Sequence, residues 1–367
     1  MKVLIQFQKN DLLFARPVSV ISCFDPSLTG DCFKQMEEAL AGGYYLAGFL
    51  SYEAGYSFEE KLFLRRDYGF PLLCFGVYRK PEDARGMPLM PIGGLPENMR
   101  LNTGREEYAF NIGAIRDYIA KGDVYQITYC LKLLFDFRAD SFALYRRLLK
   151  EQPVPYPAYI ECPDFNILSL SPELFIRKEG QRIETRPMKG TWPRGTDIFS
   201  DLFCSLRLKY DLKNRAENVM IADLLRNDMG RLASDIRAPR LFEVARYKTL
   251  CQMTSTVTAR IEKDIPLYRL FSSLFPSGSV TGAPKIRAME IIRQLEKEER
   301  QIYTGTIGYI SPEKDMFFNI PIRTLLIRDG RGQMGIGGGI VWDSTVSGEW
   351  EEGLLKAKFL TDLAKND

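Results

Sequence analysis

Strand-like and helix-like runs follow one another in this chain without a strict strand–helix–strand rhythm, and that order excludes more folds than any single motif. Short apolar runs at Y-Y-L-A-G-F-L-S-Y (44–52) and L-L-C-F-G-V-Y (72–78) read as strands. A Pro/Gly-rich connector, R-K-P-E-D-A-R-G-M-P-L-M-P-I-G-G-L-P (79–96), then breaks regular structure. Beyond it Tyr108, Ile112, Ile115 and Ile119 recur at helical spacing and stop at Gly122, and V-Y-Q-I-T-Y-C-L-K-L-L-F (124–135) alternates as a strand. Further strands are predicted at N-I-L-S-L, L-F-I-R-K, M-T-S-T-V-T-A-R-I and T-G-T-I-G-Y-I, with helices near 213–229 and from about 348. A parallel doubly wound sheet needs a helix after nearly every strand, so this pattern predicts an α+β fold with largely antiparallel sheets. We expect residues 1–100 to form a strand-rich N-terminal subdomain of the same sandwich and 101–367 to carry the chemistry.

Composition narrows the chemistry. Among 367 residues there is no histidine, which removes the commonest general base, the commonest zinc ligand and every histidine-activated nucleophile. Seven scattered cysteines form no C-x-x-C pair. Fifty basic against 47 acidic residues leave a net charge of +3, too balanced for a dedicated nucleic-acid surface. No window is apolar enough to span a membrane, and the N-terminus lacks a secretory pattern, so a cytoplasmic location is expected.

What remains is carboxylates, amines, guanidinium groups and backbone amides. In I-E-T-R-P-M-K-G-T-W-P-R-G (183–195), Pro187 and Gly190 predict a stiff bend displaying Lys189, with Arg186 and Arg194 favouring its neutral, nucleophilic form. Projected at 100° per residue, Glu217 falls among Met220, Ile221 and Leu224, on the face that should meet the core. Glu349, Glu352 and Lys356 likewise share a stripe with Leu360 and Leu363. Acids on such faces need a counter-charge, either an ion pair or a metal, and an oxygen-only set suits Mg²⁺. Gly335, Gly337, Gly338 and Gly339 fail the dinucleotide spacing yet expose amides able to cradle a carboxylate, and Arg323 is predicted on a nearby strand. S-G-S-V-T-G-A-P-K (277–285) lacks phosphate-loop spacing and reads as an anion-binding or tight-turn loop.

Together G-D-V-Y-Q-I-T, S-L-S-P-E-L-F, R-P-M-K-G-T-W-P-R-G, A-E-N-V-M-I-A-D-L-L-R-N-D, Q-M-T-S-T-V, F-P-S-G-S-V-T-G-A-P-K, Y-T-G-T-I-G-Y, I-R-T, G-I-G-G-G-I-V-W-D-S and E-W-E-E-G-L-L-K-A resemble the chorismate-utilising enzymes over most of residues 105–363. The resemblance implies two packed antiparallel sheets with helices outside. The lysine of P-x-K-G-T further resembles the branch that aminates chorismate at C4; anthranilate-forming relatives usually carry alanine there. It implies that Lys189 attacks C2 of chorismate while Glu173 protonates the departing 4-hydroxyl, and that ammonia then enters at C4. It implies Mg²⁺ on Glu217 and Glu352 with Glu349 beside them, and a substrate held by Tyr303, Arg323, Lys356 and the amides of Gly337 to Gly339. Thr281 and Gly282 of the 277–285 loop are counted with the substrate-binding residues. Gln126 stands near a position where isochorismate-forming relatives carry a water-activating lysine, which favours ammonia over water as the incoming nucleophile. Gln252 departs from the histidine of anthranilate-forming relatives. No cysteine here has glycine neighbours and no histidine exists to pair with one, so the ammonia is expected from a separate glutaminase partner.

Overall fold

The computed structural model describes residues 1–363 apart from 9, 85–92, 196 and 247–249; the middle of the Pro/Gly-rich connector therefore lies outside the described residues. Two ten-stranded sheets pack face to face, and every pairing among the described residues is antiparallel. The first sheet runs from the short Gly282–Ala283 bridge through Gln126–Asp136, Arg331–Ile340, Thr324–Arg328, Asn166–Ser171 and Tyr156–Glu161 to Lys2–Phe7 and beyond. Met188–Pro193, Leu250–Arg260, Arg182–Arg186, Leu174–Glu179, Met316–Asn319, Thr306–Ile310 and Tyr45–Leu50 lead the second. Strands from the first hundred residues enter both sheets: Lys2–Phe7 pairs with Tyr156–Glu161, and Tyr45–Leu50 with Thr306–Ile310.

The period of two explains the layering. In Lys2–Phe7 the side chains of Val3, Ile5 and Phe7 fill the space between the sheets with Phe49, Ile160, Ile167 and Phe317, whereas Leu4 points to the helix-covered outer face. Helices blanket much of both outer faces, so Gln126–Asp136 is buried almost throughout. That is why its apolar–polar alternation is shallow in sequence: with both faces covered there is no wet side to mark.

Two chain crossings between the sheets matter most. Asn166–Ser171 belongs to the first sheet and Leu174–Glu179 to the second, so Glu173 sits in the step between them. Met316–Asn319 and Thr324–Arg328 make the reverse step, with Arg323 at its end. The crossings are stitched together: Ile320 N–H donates to the Glu173 carbonyl at 3.0 Å, and Leu170 N–H to the Arg323 carbonyl at 3.1 Å. Arg323 thus precedes its strand instead of lying in it, with φ at 52°, correcting the expected strand placement.

Candidate active site

Where the leading edges of the two sheets meet, a cavity of about 410 Å³ opens under the helices Leu212–Gly230 and Val346–Thr361. Glu173, Lys189, Glu217, Tyr303, Arg323, Gly337, Gly338, Gly339, Glu349, Glu352 and Lys356 all line it. Eleven residues far apart in sequence are gathered here because strand edges, crossings and two helix starts converge on one end of the sandwich.

Lys189 is presented by an edge strand and not by a free bend, which corrects the expectation for 187–190: Met188–Pro193 pairs antiparallel with Leu250–Arg260. The pairing shifts register between Met188 and Thr191, and Gly190 holds φ at 92° there with Asn214 packed against its Cα. An L side chain at Gly190 would combine a strained backbone with a clash on Asn214, so this bulge needs glycine. The amine points inward, and its Nζ stands 3.3 Å from where a Cβ on Gly339 would be. Burial is the main cause holding the Lys189 ammonium below the usual lysine range; Glu173 opposes that shift and Lys356 adds to it. The two arginines are not the cause. Arg186 is paired with Glu184 at 2.5 Å, and Arg194 is bound to Asp201, so both charges are spent on local acids.

Glu173 is 3% exposed, and burial pushes its carboxyl up to about 7 despite a hydrogen bond from the Ser279 hydroxyl to Oε1 at 2.7 Å and the nearby Lys189. A carboxyl that titrates near neutrality beside an amine that titrates low can exist as an uncharged acid–amine pair, the state needed to give a proton and offer a lone pair. Ser279 is a site residue that helical or strand periodicity could not have flagged, since it sits in the short turn Gly278–Val280.

The opposite wall is acidic. A Cβ on Gly338 would lie 3.1 Å from Glu349 Oε2 and 3.5 Å from both Glu352 Oε1 and Lys356 Nζ, so the glycine is what lets these groups approach the strand. Lys356 pairs with Glu352 at 2.7 Å and donates to the Gly337 carbonyl at 2.6 Å; Glu349 accepts from the Ser344 hydroxyl at 2.7 Å. Burial raises the carboxyls of Glu217 and Glu349, and Glu352 raises each further. Lys356 pulls Glu352 the other way, below the usual range. Glu217 borders the buried seam of its helix, whose centre is Asn218, Ile221, Ala222 and Leu225. The projection was thus off by about one residue, because the seam follows the sheet beneath it. Among the described residues no three acids are grouped at ligating separation. In chemistry, though not in grouping, the set fits a hard divalent cation: three oxygen-donor carboxylates on one cavity, two of them pushed toward protonation by burial and by the third.

Three predicted substrate residues lie behind the wall. Thr281 is fully buried, its hydroxyl donating to the Ser277 carbonyl at 3.1 Å and its own carbonyl accepting from Thr128 N–H at 2.7 Å. Gly282 bridges to Gln126–Ile127, where a Cβ would fall 2.2 Å from the Gln126 carbonyl. These two shape the backbone behind the cavity and do not line it. Gln126 is 1% exposed, and its amide nitrogen packs against Gly339, the other neighbour of which is Lys189. It supports the floor without lining the cavity. Thr128, Asn214 and Gln252 line the cavity in addition, and buried Gln252 Oε1 has no hydrogen-bond partner among the described residues.

With the site assembled, comparison with known proteins becomes specific. The chorismate binding enzyme family matches residues 89–362. The chain belongs to that family. Aminodeoxychorismate synthase component 1 of Klebsiella aerogenes is 40% identical over 272 residues, covering 74% of this chain and 60% of its own length. Anthranilate synthase component 1 of Pseudomonas aeruginosa is 37% identical over 277 residues, covering 75% and 56%. The chain thus spans about three fifths of the length of the curated relatives it matches. Among solved structures, anthranilate synthase component I from Streptococcus pneumoniae is similar with a TM-score of 0.82 at 25% identity, covering 98% of this chain and 92% of that one. The menaquinone-specific isochorismate synthase from Escherichia coli reaches 0.78 at 18% identity, covering 99% and 88%, which shows the shared fold alone. The sandwich of two antiparallel sheets is the fold of this family's solved members. No helix among the described residues is long and apolar enough to cross a membrane.

Proposed function

We propose that the chain aminates chorismate at C4, giving 4-amino-4-deoxychorismate, with ammonia as the nitrogen source. The observation that carries this reading is the juxtaposition of the inward-pointing Lys189 amine and the Glu173 carboxyl, poised near 7, in one cavity with cations for a dicarboxylate. The similarity to aminodeoxychorismate synthases supports the same choice.

The chain's residues divide the work as follows. Arg323, Lys356 and the amides of Gly337 to Gly339 bind the enolpyruvyl carboxylate, with the Tyr303 ring packed against Gly335 beside them. Neutral Lys189 forms a C–N bond at C2 as the two ring double bonds shift and the C4–O bond breaks; the Glu173 proton leaves with that oxygen as water. Ammonia then forms a C–N bond at C4, the two double bonds shift back, and the C2–N bond breaks with its electron pair returning to Lys189 as the neutral amine, while the surplus proton of the new C4 ammonium returns to Glu173. Glu217, Glu349 and Glu352 would hold Mg²⁺, which supplies counter-charge to the ring carboxylate when bound.

Incubation with chorismate, Mg²⁺ and ammonium, followed by mass analysis of product and intact protein, tests this. A product retaining the enolpyruvyl group and a chorismate-derived adduct lost in Lys189→Ala are expected. Wild-type turnover by Lys189→Ala overturns the covalent route, and turnover indifferent to chelator overturns the metal. The second reading, anthranilate formation, is favoured by the 37% identity to an anthranilate synthase component and predicts release of pyruvate.

A further inference from the structure

A second cavity, of about 260 Å³, shares no lining residue with the active cavity. It lies between the turn Tyr52–Phe58, the segment that follows it, and the end of the helix Lys285–Leu295. Arg300 stands between the two spaces: it lines the second, and its guanidinium donates to the carbonyls of Val280 at 2.8 Å and Thr128 at 2.6 Å, both in the wall of the first.

Four cations and four acids line this second cavity, and nearly all are committed to one another or to near neighbours. Lys297 pairs with Glu107 at 2.6 Å, Arg300 with Glu296 at 2.6 Å, Glu298 with Lys132 at 3.0 Å, and Arg66 with Glu299. Both Glu53 oxygens accept from backbone N–H groups. Arg293 is the exception. Among the described residues it meets no carboxylate: its guanidinium donates to the Leu62 carbonyl at 2.8 Å and stands 5.5 Å from the centre of the Tyr56 ring. A cation held by a neutral acceptor and an aromatic face keeps its remaining donors for an anion. Its planar fork is also ordered in advance, so an anion that binds there has less freedom to freeze out.

The rest of the lining sets the shape of that anion. Tyr52, Tyr56 and Tyr68 contribute rings, with Leu64 and Ile292 beside them. The rings are fixed: Tyr52 and Tyr56 meet edge to face at 5.9 Å, the Arg300 guanidinium lies 4.5 Å from the Tyr52 ring, and that of Arg66 lies 4.3 Å from the Tyr68 ring. Flat apolar walls with one free guanidinium suit a ring bearing a single carboxylate, which the guanidinium takes through two parallel hydrogen bonds. A phosphate dianion suits them less, because Glu296, Glu298 and Glu299 stand on the same wall. The volume falls just below the ~300 Å³ at which sites for drug-sized ligands begin, so it has room for one ring and not for a nucleotide. We infer that this cavity is a second ligand site, which takes a small aromatic monocarboxylate with its acid group on Arg293 and its ring among Tyr56, Tyr68 and Leu64. No residue of the active cavity takes part, so the inference stands apart from the amination reading.

Benzoate is the probe, titrated calorimetrically into the full-length wild type, Arg293→Gln and Arg293→Lys. Arg323→Gln is the control, because the active cavity is also built for carboxylates. Arg293 is exposed on its helix, so neither substitution there disturbs the core, and thermal midpoints verify this. The inference expects saturable binding by the wild type at ~1 mM or tighter. Arg293→Gln should weaken it at least tenfold, Arg293→Lys, which restores the charge without the fork, by a smaller factor, and Arg323→Gln by less than twofold. Inorganic phosphate should bind at least tenfold more weakly than benzoate. Absence of saturable binding overturns the inference, as does equal binding by Arg293→Gln. Loss of binding in Arg323→Gln also overturns it, by placing the probe in the active cavity, and phosphate binding as tightly as benzoate overturns the aromatic assignment.

Discussion

Two buried carboxyls in this protein titrate near the same pH and do opposite jobs. Glu173 and Glu53 are both 3% exposed, and burial lifts each to about 7. Glu53 borders a separate cavity of about 260 Å³, yet both of its carboxyl oxygens are committed. Its two oxygens accept from Arg300 N–H at 2.7 Å and Gln301 N–H at 3.0 Å, and the Arg300 guanidinium is spent on Glu296, on the Val280 and Thr128 carbonyls, and on the Tyr52 ring. Glu173 has one side-chain donor, Ser279, and faces open space shared with Lys189. The comparison teaches that a raised carboxyl marks burial first. Function requires in addition a chemically complementary neighbour in the same cavity, as Lys189 is for Glu173. The two regions are also joined, because Thr128 and Val280 line the cavity on one side and hold Arg300 on the other. The Glu53–Arg300 network is the stiff backing of the site.

The largest effect that would break this contrast is on turnover. Lys189→Ala should lower ammonium-dependent amination by roughly a thousandfold or more, about 4 kcal/mol of barrier, with the thermal midpoint little changed, as steady-state kinetics and calorimetry would show. On the other side, Arg300→Met leaves Glu296 buried without its partner and should cost about 3–5 kcal/mol of stability in denaturant titration. If Arg300→Met instead left stability intact and removed activity, the division between backing and site would fail.

A third measurement compares the carboxyls directly. The folded protein holds the Glu173 proton more tightly than the unfolded chain, so stability falls as pH rises from the ordinary carboxyl value, near 4.5, to about 7 and stays lower above it. Glu173→Gln removes that penalty and should be stabilising by roughly 2–4 kcal/mol above pH 7, the gain vanishing below 4.5, while it loses the proton donor. Glu53→Gln shares the same electrostatic sign, but an amide nitrogen must then face one of two backbone donors, so its net gain should be smaller or absent in parallel urea titrations. The wild-type rate should fall on the alkaline side, above about 7, as Glu173 ionises, in a pH–rate profile. The smallest effect belongs to Ser279→Ala: the lost hydroxyl stabilises the ionised acid, so the alkaline limb should move to higher pH, with at most about a tenfold change in rate.

Much of this was legible beforehand, for stated reasons. Glu349, Glu352 and Lys356 stood out because a helix projects its residues at a fixed angle, and charges running into leucines violate the pattern of a wet face. Lys189 stood out from its Pro/Gly frame, yet the frame was misread: the bend is an edge strand with a bulge, since pairing to Leu250–Arg260 is a contact between distant segments that composition does not encode. Arg186 and Arg194 were wrongly credited with the Lys189 shift because sequence proximity ignored Glu184 and Asp201. Thr281, Gly282 and Gln126 were assigned to the substrate and turn out to support the wall, a distinction of a few ångströms in depth. Helix Ile198–Tyr210 went unnoticed because its apolar and polar faces are exchanged, and periodicity reports a stripe without saying which way it points.

By itself the sequence determined the alternation of elements, the absence of histidine chemistry, and which acids would be costly where they stand, because these follow from local spacing and residue type. Only the tertiary structure decided that Glu173 and Arg323 occupy the two crossings between sheets, that burial and not neighbouring arginines weakens the hold of Lys189 on its proton, and which raised carboxyl shares a cavity with that amine. Proton affinity and access depend on everything within several ångströms, and those neighbours come from the far ends of the chain.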